Sequence, residues 1–142
     1  MSNAINVRVV SPITTKGFRK DSDFDTIRNS DLNISHSQIE IGPASIETEF
    51  DEAMCQPDTI LKIIDAENEG CDAAVIDCMG DPGLKGAREC VSIPVVGPCE
   101  TAMHYASMLG HKFTVLTVLE RTKPLIENLS KIYGISSKLA SA

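Results

Sequence analysis

Ala73-Ala74-Val75-Ile76-Asp77-Cys78-Met79-Gly80-Asp81-Pro82-Gly83 is the stretch on which the fold turns. Residues 73–77 are a short apolar run closed by one carboxylate. A strand with one wet face would alternate apolar and polar residues. An unbroken run suits a strand of a parallel sheet, covered on both faces. Gly80, Asp81, Pro82 and Gly83 then supply turn chemistry, and a helical piece follows to about Cys90. Buried strand, turn and helix are the parts of a βαβ unit.

The chain on either side repeats this rhythm. Towards the N-terminus, residues 5–10 (INVRVV) read as a first strand, and residues 33–41 alternate like a second strand near an edge. Glu47 and Glu49 sit in a loop with charges that suit a helix start. Pro57 is followed by Asp58 and Thr59, either a good N-cap, and Gly70 is a good stop, so the helix is predicted over residues 59–69. Towards the C-terminus come a strand at 93–96, a helix at 100–109 stopped by Gly110, and a strand at 113–119 (FTVLTVL). A helix at 123–133 ends at Gly134, and residues 139–142 begin one more strand. Alternating strands and helices predict an α/β fold with a mostly parallel sheet. Ligands in such sheets bind beyond the carboxyl ends of the strands, here the turns after Val10, Asp77 and Thr117. Residues 11–31 are polar without periodicity, and read as a mobile loop plus a weak helix lining the site.

Composition narrows the function. The chain has 142 residues, 42% hydrophobic and 23% charged, which is a globular balance with enough length for one core. The net charge of −7 repels phosphate, and with no Trp and 4% aromatics there are no stacking platforms. Nucleic acid and anionic membranes are therefore not expected as partners. No apolar run approaches the roughly 18 residues of a membrane span. Met1-Ser2-Asn3-Ala4 is too polar for a secretory signal. The five cysteines, none in a C-x-x-C pair, read as reduced thiols in a cytoplasmic protein, and their odd number argues against a disulfide framework. His36, His104 and His111 show no ligand spacing with them, so no metal is expected.

Cys78 is the leading candidate for chemistry. It follows a buried strand, and the helix after it turns its free N–H groups towards the same rim. That field should lower a thiol pKa from its ordinary value of about 8.5. Gly80 would let the backbone approach a ligand. The alternative is a structural cysteine at a strand end. Cys99 also follows a strand, but would approach a ligand from the same side as Cys78, so it reads as a packing residue. Thr117 offers a hydroxyl for a carbonyl or carboxylate oxygen. Glu100 suits a helix start, His104 a helix face and His111 a helix end.

Four segments together carry a resemblance: GPASIETEFD at residues 42–51, VIDCMGDPGL at 75–84, PVVGPCETA at 94–102, and Met103 through Gly110 running into residues 113–119. Arg121-Thr122-Lys123-Pro124 matches in style. The chain resembles hydantoin racemases, including allantoin racemases, of the aspartate/glutamate racemase superfamily, over nearly its whole length. The resemblance implies two similar flavodoxin-like, parallel-sheet α/β lobes with the site between them, no cofactor, no metal, a small hydantoin-like substrate and a homo-oligomer. It implies a first lobe over residues 1–110 carrying Cys78, and a second lobe beginning at 111–142 and left incomplete. It implies two catalytic cysteines, one per lobe, with Cys78 the first and the second beyond Ala142. Pro12 and Ile13, Met79 and Gly80, and Thr117 and Val118 fall where the family holds the substrate's polar atoms. An aspartate/glutamate racemase, a maleate-isomerase-like enzyme using a thiol nucleophile, and a non-catalytic truncated module remain open alternatives.

Overall fold

The computed structural model describes residues 4–142; Met1, Ser2 and Asn3, part of the N-terminus read above as too polar for a signal, lie outside them. Four parallel strands form the main sheet: β1 (Ile5–Ser11), β2 (Leu32–Gln38), β3 (Ala73–Ile76) and β4 (Val95–Val96). Their order is β2-β1-β3-β4, which puts β2 on the expected edge. This is the flavodoxin-like doubly wound order, and its switch point lies between β1 and β3. Val10 and Ile76 pair there in register, and both are fully buried. β4 is short because Pro94 has no N–H to give the ladder; it contributes only its carbonyl, which accepts from the Ala74 N–H at 2.9 Å.

The helix predicted over residues 59–69 is longer than the sequence suggested. Helix α1 spans Glu49–Asn68 and runs through Pro57. Its true cap is Thr48. The Thr48 hydroxyl accepts from the Asp51 N–H at 3.1 Å, and the Asp51 carboxylate accepts from the Thr48 N–H at 3.0 Å. A proline inside a helix ordinarily costs about 3 kcal/mol or more. Here Cys55, Thr59, Ile63 and Ala66 form one buried stripe at helical spacing, so tertiary packing overrides the local break.

Helix α2 (Leu84–Cys90) packs on α1 and β4. Helix α3 (Pro98–Leu109) starts two residues before the predicted one, with Pro98 in the first turn where its missing N–H costs nothing. Beyond it lie β5 (Phe113–Thr114), α4 (Lys123–Ile132) and β6 (Leu139–Ser141), with β5 and β6 forming a two-stranded parallel sheet. The strand expected at 113–119 therefore stops early. Its one neighbour, β6, is three residues long. The Val115 N–H still donates to the Ser141 carbonyl at 3.1 Å. Beyond it residues 116–119 keep a strand's alternation, with Thr117 and Leu119 half-buried and Leu116 and Val118 exposed, but join no ladder.

Two apolar clusters result. Val10, Ile63, Ala74, Ile76, Leu84, Ala87 and Val95 form the first. Cys99, Met103, Ile126, Leu129 and Ile135 form the second. Helix α3 thus buries its side chains with residues beyond 110, whereas the sequence reading grouped it with residues 1–110. Residues 11–31 are tied down more than their composition suggested. A 3-10 turn (Asp21–Phe24) buries Phe24, and Arg28 donates to the Ile34 carbonyl at 2.6 and 3.0 Å.

Candidate functional site at the switch point

β3 ends at Ile76, and the Asp77 N–H still donates to the Val10 carbonyl at 2.8 Å. Cys78 is the next residue. It therefore sits at the carboxyl rim of the two central strands, where a doubly wound sheet opens a crevice. Two hollows meet there. One, of about 190 Å³, is lined by Cys78, Met79, Gly80, Thr117 and Val118, together with Ile46 and Arg121. The other, of about 500 Å³, is lined by Pro12, Ile13, Arg19, Ile46, Cys78 and Met79. All seven residues singled out from the sequence thus border hollows that share Cys78, Met79 and Ile46. The sulfur is half-buried at the rim of the core rather than sealed inside it.

The charges around Cys78 differ from the expectation. The Gly80 N–H points at Sγ at 3.4 Å, a contact that favours a thiolate. Burial works against it most strongly, and the Glu52, Asp81 and Asp77 carboxylates add to burial against the one N–H. The thiol is pushed up to about 11 rather than down. The helix that was to supply the stabilising field begins only at Leu84, six residues on, and is seven residues long.

Asp77, beside Cys78, anchors the segment after β1. Arg19 grips its carboxylate with two bonds, 2.6 and 2.7 Å. The Ser11 hydroxyl donates to Asp77 at 3.0 Å, so Ser11 accepts from His36 Nε2 at 2.9 Å, which fixes that nitrogen as the protonated one. Burial opposes ionisation of Asp77, but the bonds from Arg19 and Ser11 prevail and hold its pKa below the usual value. A depressed carboxyl stabilises the fold above its unfolded pKa of about 3.9 and loses that contribution as pH falls through the folded value. Arg19→Ala is therefore expected to lower the melting temperature at pH 7, with the gap from wild type closing below about pH 4. Thermal melts across pH check this.

Asp81 is the structural hub of the Cys78 turn. It is 5% exposed and has a left-handed φ of 49°, an uncommon state for a residue with a side chain. Its carboxylate accepts from the Cys99 N–H at 2.9 Å, the Glu100 N–H at 2.7 Å and the Tyr133 hydroxyl at 2.7 Å. The first two bonds cap α3. The third comes from the residue that ends α4, so one side chain ties the Cys78 turn to both halves of the chain. Burial and the Asp81 carboxylate raise the Tyr133 pKa. Tyr133→Phe is expected to cost about 1.5 kcal/mol in urea unfolding, the low end for a bond to a charged group, because two donors to Asp81 remain.

Thr117 presents the opposite polarity from the one expected. Thr122 donates its hydroxyl proton to the Leu119 carbonyl at 2.7 Å. The 2.5 Å contact between the two threonine hydroxyls must then use the proton of Thr117. What Thr117 has left for a ligand is lone pairs, which suit an N–H rather than a carbonyl.

Cys99 is fully buried in the second cluster, as a packing residue. His104 and His111 are exposed, and Glu100 pairs with Arg88 at 2.6 Å. Arg19, Asp77, Glu52 and Asp81 were not singled out from the sequence. The G-D-P-G turn was a signal for Asp81. Arg19 carried none, since its partner lies 58 positions away.

Comparison with known proteins gives the family and the fold. The sequence model described as Asp/Glu/Hydantoin racemase matches residues 25–142. A hydantoin racemase of Pseudomonas sp. (strain NS671) is 40% identical over 137 residues, 95% of this chain and 55% of its own length. One from Rhizobium meliloti is 41% identical over 108 residues, 76% of this chain and 45% of its own. Among solved structures, allantoin racemase from Klebsiella pneumoniae superposes with a TM-score of 0.87 at 31% identity, covering 96% of this chain and 57% of that one. Allantoin racemase from Pseudomonas fluorescens gives 0.86 at 27%, covering 96% and 59%. The chain spans about half the length of these relatives. With its family model matched over most of its residues and its doubly wound lobe shared with solved members, the chain belongs to the Asp/Glu/hydantoin racemase family.

Proposed function

We propose that this chain supplies the Cys78-bearing part of a cofactor-independent racemase acting on 5-substituted hydantoins or allantoin. The observation that carries the reading is the hollow shared by Cys78, Gly80 and Thr117. It joins a titratable sulfur, a backbone that a ligand can approach and a hydrogen-bond acceptor. At about 190 Å³ it falls below the roughly 300–1,000 Å³ of drug-sized sites and suits a small ring. The lone pairs of Thr117 match a ring N–H, which a hydantoin has beside its reacting carbon.

In this reading one thiolate removes the proton from the carbon next to the ring carbonyl. The electron pair delocalises into that carbonyl as an enolate. The opposite thiol, protonated, delivers its proton to the other face, and the thiol and thiolate have exchanged states. Backbone N–H groups around Met79 and Gly80 would steady the enolate oxygen, an effect often worth about 3 kcal/mol per donor. We assign Pro12, Ile13 and Val118 to the walls that hold the ring. Among the described residues, Cys78 is the one cysteine bordering these hollows: Cys55 and Cys99 are fully buried, Cys71 is 8% exposed, and Cys90 ends α2. We therefore place the opposing thiol on a second half of the fold, outside this chain. We divide the lobes near Gly97, because α3 packs with the second cluster.

Parallel assays with hydantoins, allantoin and acidic amino acids test the substrate class. Turnover of the amino acids alone would overturn the hydantoin reading. We also place the protein in a reducing compartment, the cytoplasm, on its five free thiols. Among the described residues, no helix is long and apolar enough to cross a membrane. Leu116 at 92% and Val118 at 97% exposure favour self-association into a homo-oligomer, and a light-scattering mass of one chain would contradict that.

A further inference from the structure

Glu52 lies in the first turn of α1, and the two-thiol reaction gives it no part. Its Oε2 is sealed from solvent and has no hydrogen-bond partner. A buried, unpartnered carboxyl oxygen weakens a fold, so packing alone gives no reason for a glutamate at this position. Its place does. Oε2 and Cys78 Sγ each lie 3.7 Å from the point that a β-carbon on Gly80 would occupy. Because residue 80 is glycine, the carboxyl and the thiol approach each other with no side chain of that residue between them.

We propose that Glu52 is a positioning residue for Cys78: its buried carboxyl, set across Gly80 from the sulfur, keeps the proton on that thiol and makes Cys78 the acid of the resting site. This role rests on the two-thiol reading of the reaction. The other groups around the sulfur leave the role open to Glu52. Asp77 and Asp81 flank Cys78 on its own segment, but Asp77 is engaged by Arg19 and Asp81 by three donors. Cys55 faces it from α1 and Cys99 from α3, both as buried thiols. Glu47, Glu49 and Arg121 line the same hollow, and Arg19 the neighbouring one. Among the described residues no cation bonds the sulfur; its one polar contact is the Gly80 N–H. Burial, then Glu49 and Asp81, raise the pKa of Glu52 itself, and of the charges around Cys78 Glu52 raises its pKa most.

Alkylation of Cys78 by iodoacetamide across pH, read residue by residue by mass spectrometry on the intact chain, tests this without any turnover. In wild type the rate should be slow at pH 8 and still climbing past pH 10. Glu52→Gln removes the charge and keeps the shape. It should raise the pH 8 rate about tenfold, one pK unit, while Cys55 and Cys99 stay unlabelled. An unchanged Cys78 rate overturns the proposal. So does label appearing in all three cysteines, which would mean a loosened core. If the glutamine variant does not fold, Glu52→Asp, which withdraws the charge by one methylene, should give a smaller rise. A wild-type midpoint at or below the ordinary thiol value of about 8.5 overturns it with no variant at all. Failure of the racemase reading would look different: turnover would survive Cys78→Ser, and these labelling rates would stand.

Discussion

Cys78→Ser is expected to lower kcat for racemisation by at least about 10²–10⁴-fold, the contribution of one general acid–base group, with KM little changed. The assay needs a protein that carries both halves of the fold. Serine fills nearly the same space at the rim and leaves the Gly80 N–H, Thr117 and the hollow in place, so binding should survive. What is lost is the sulfur that, in the two-thiol reading, both takes and gives the proton. In the two-thiol reading, turnover in either direction passes a proton through this position, so both enantiomers should lose rate together. Polarimetry from each pure enantiomer, with melting curves to show an intact fold, reads the result. Near-normal rates would remove Cys78 from the mechanism.

Gly97→Ala is expected to be a severely damaging single-methyl change. The backbone there has φ −98°, which alanine tolerates, so conformational freedom is not the issue. Space is. A β-carbon would lie 2.6 Å from Asp81 Cγ, 2.6 Å from Leu84 Cδ2 and 2.7 Å from Asp81 Oδ2. Neither neighbour can retreat, since Leu84 is 3% and Asp81 5% exposed. Overpacking a tight core costs about 1–3 kcal/mol. Pushing Asp81 aside also strains bonds to a charged group, worth about 1.5–3 kcal/mol each. A loss of about 3 kcal/mol or more in urea unfolding is expected, with kcat falling as well because Asp81 holds the turn that presents Cys78 and Gly80. A change within about 0.5 kcal/mol, the level of an ordinary surface substitution, would show that the close approach is not a constraint.

The βαβ rhythm was legible because buried parallel strands leave unbroken apolar runs, as in residues 73–77, and because Gly70, Gly110 and Gly134 punctuate the helices. What misled was local chemistry overridden at a distance. Pro57 reads as a boundary, yet α1 runs through it because its buried stripe belongs to the core. Residues 113–119 read as a strand, yet β5 ends where its neighbour does. The site was legible in outline from the architecture, since the turns after β1 and β3 must meet at a switch point, which brings Pro12 and Ile13 towards Cys78. Its charges were not. Arg19 with Asp77, and Tyr133 with Asp81, meet across 58 and 52 residues. No short-range pattern encodes those pairings, and Glu52, which adds to the rise in the Cys78 pKa, comes from a separate element, α1. The resemblance carried by GPASIE and GDPG pointed to residues that border the two hollows, while the polarity of Thr117 emerged only from its bond to Thr122.

Early-time racemisation of one pure hydantoin enantiomer in deuterated water tests the central claim most directly, with deuterium at the reacting carbon measured separately in recovered substrate and in product. Two opposed thiols predict solvent deuterium in the product enantiomer and retained hydrogen in the recovered substrate. Deuterium entering both enantiomers equally would mean a single base working on both faces, and would contradict the role of Cys78 as one of two opposed acid–base groups.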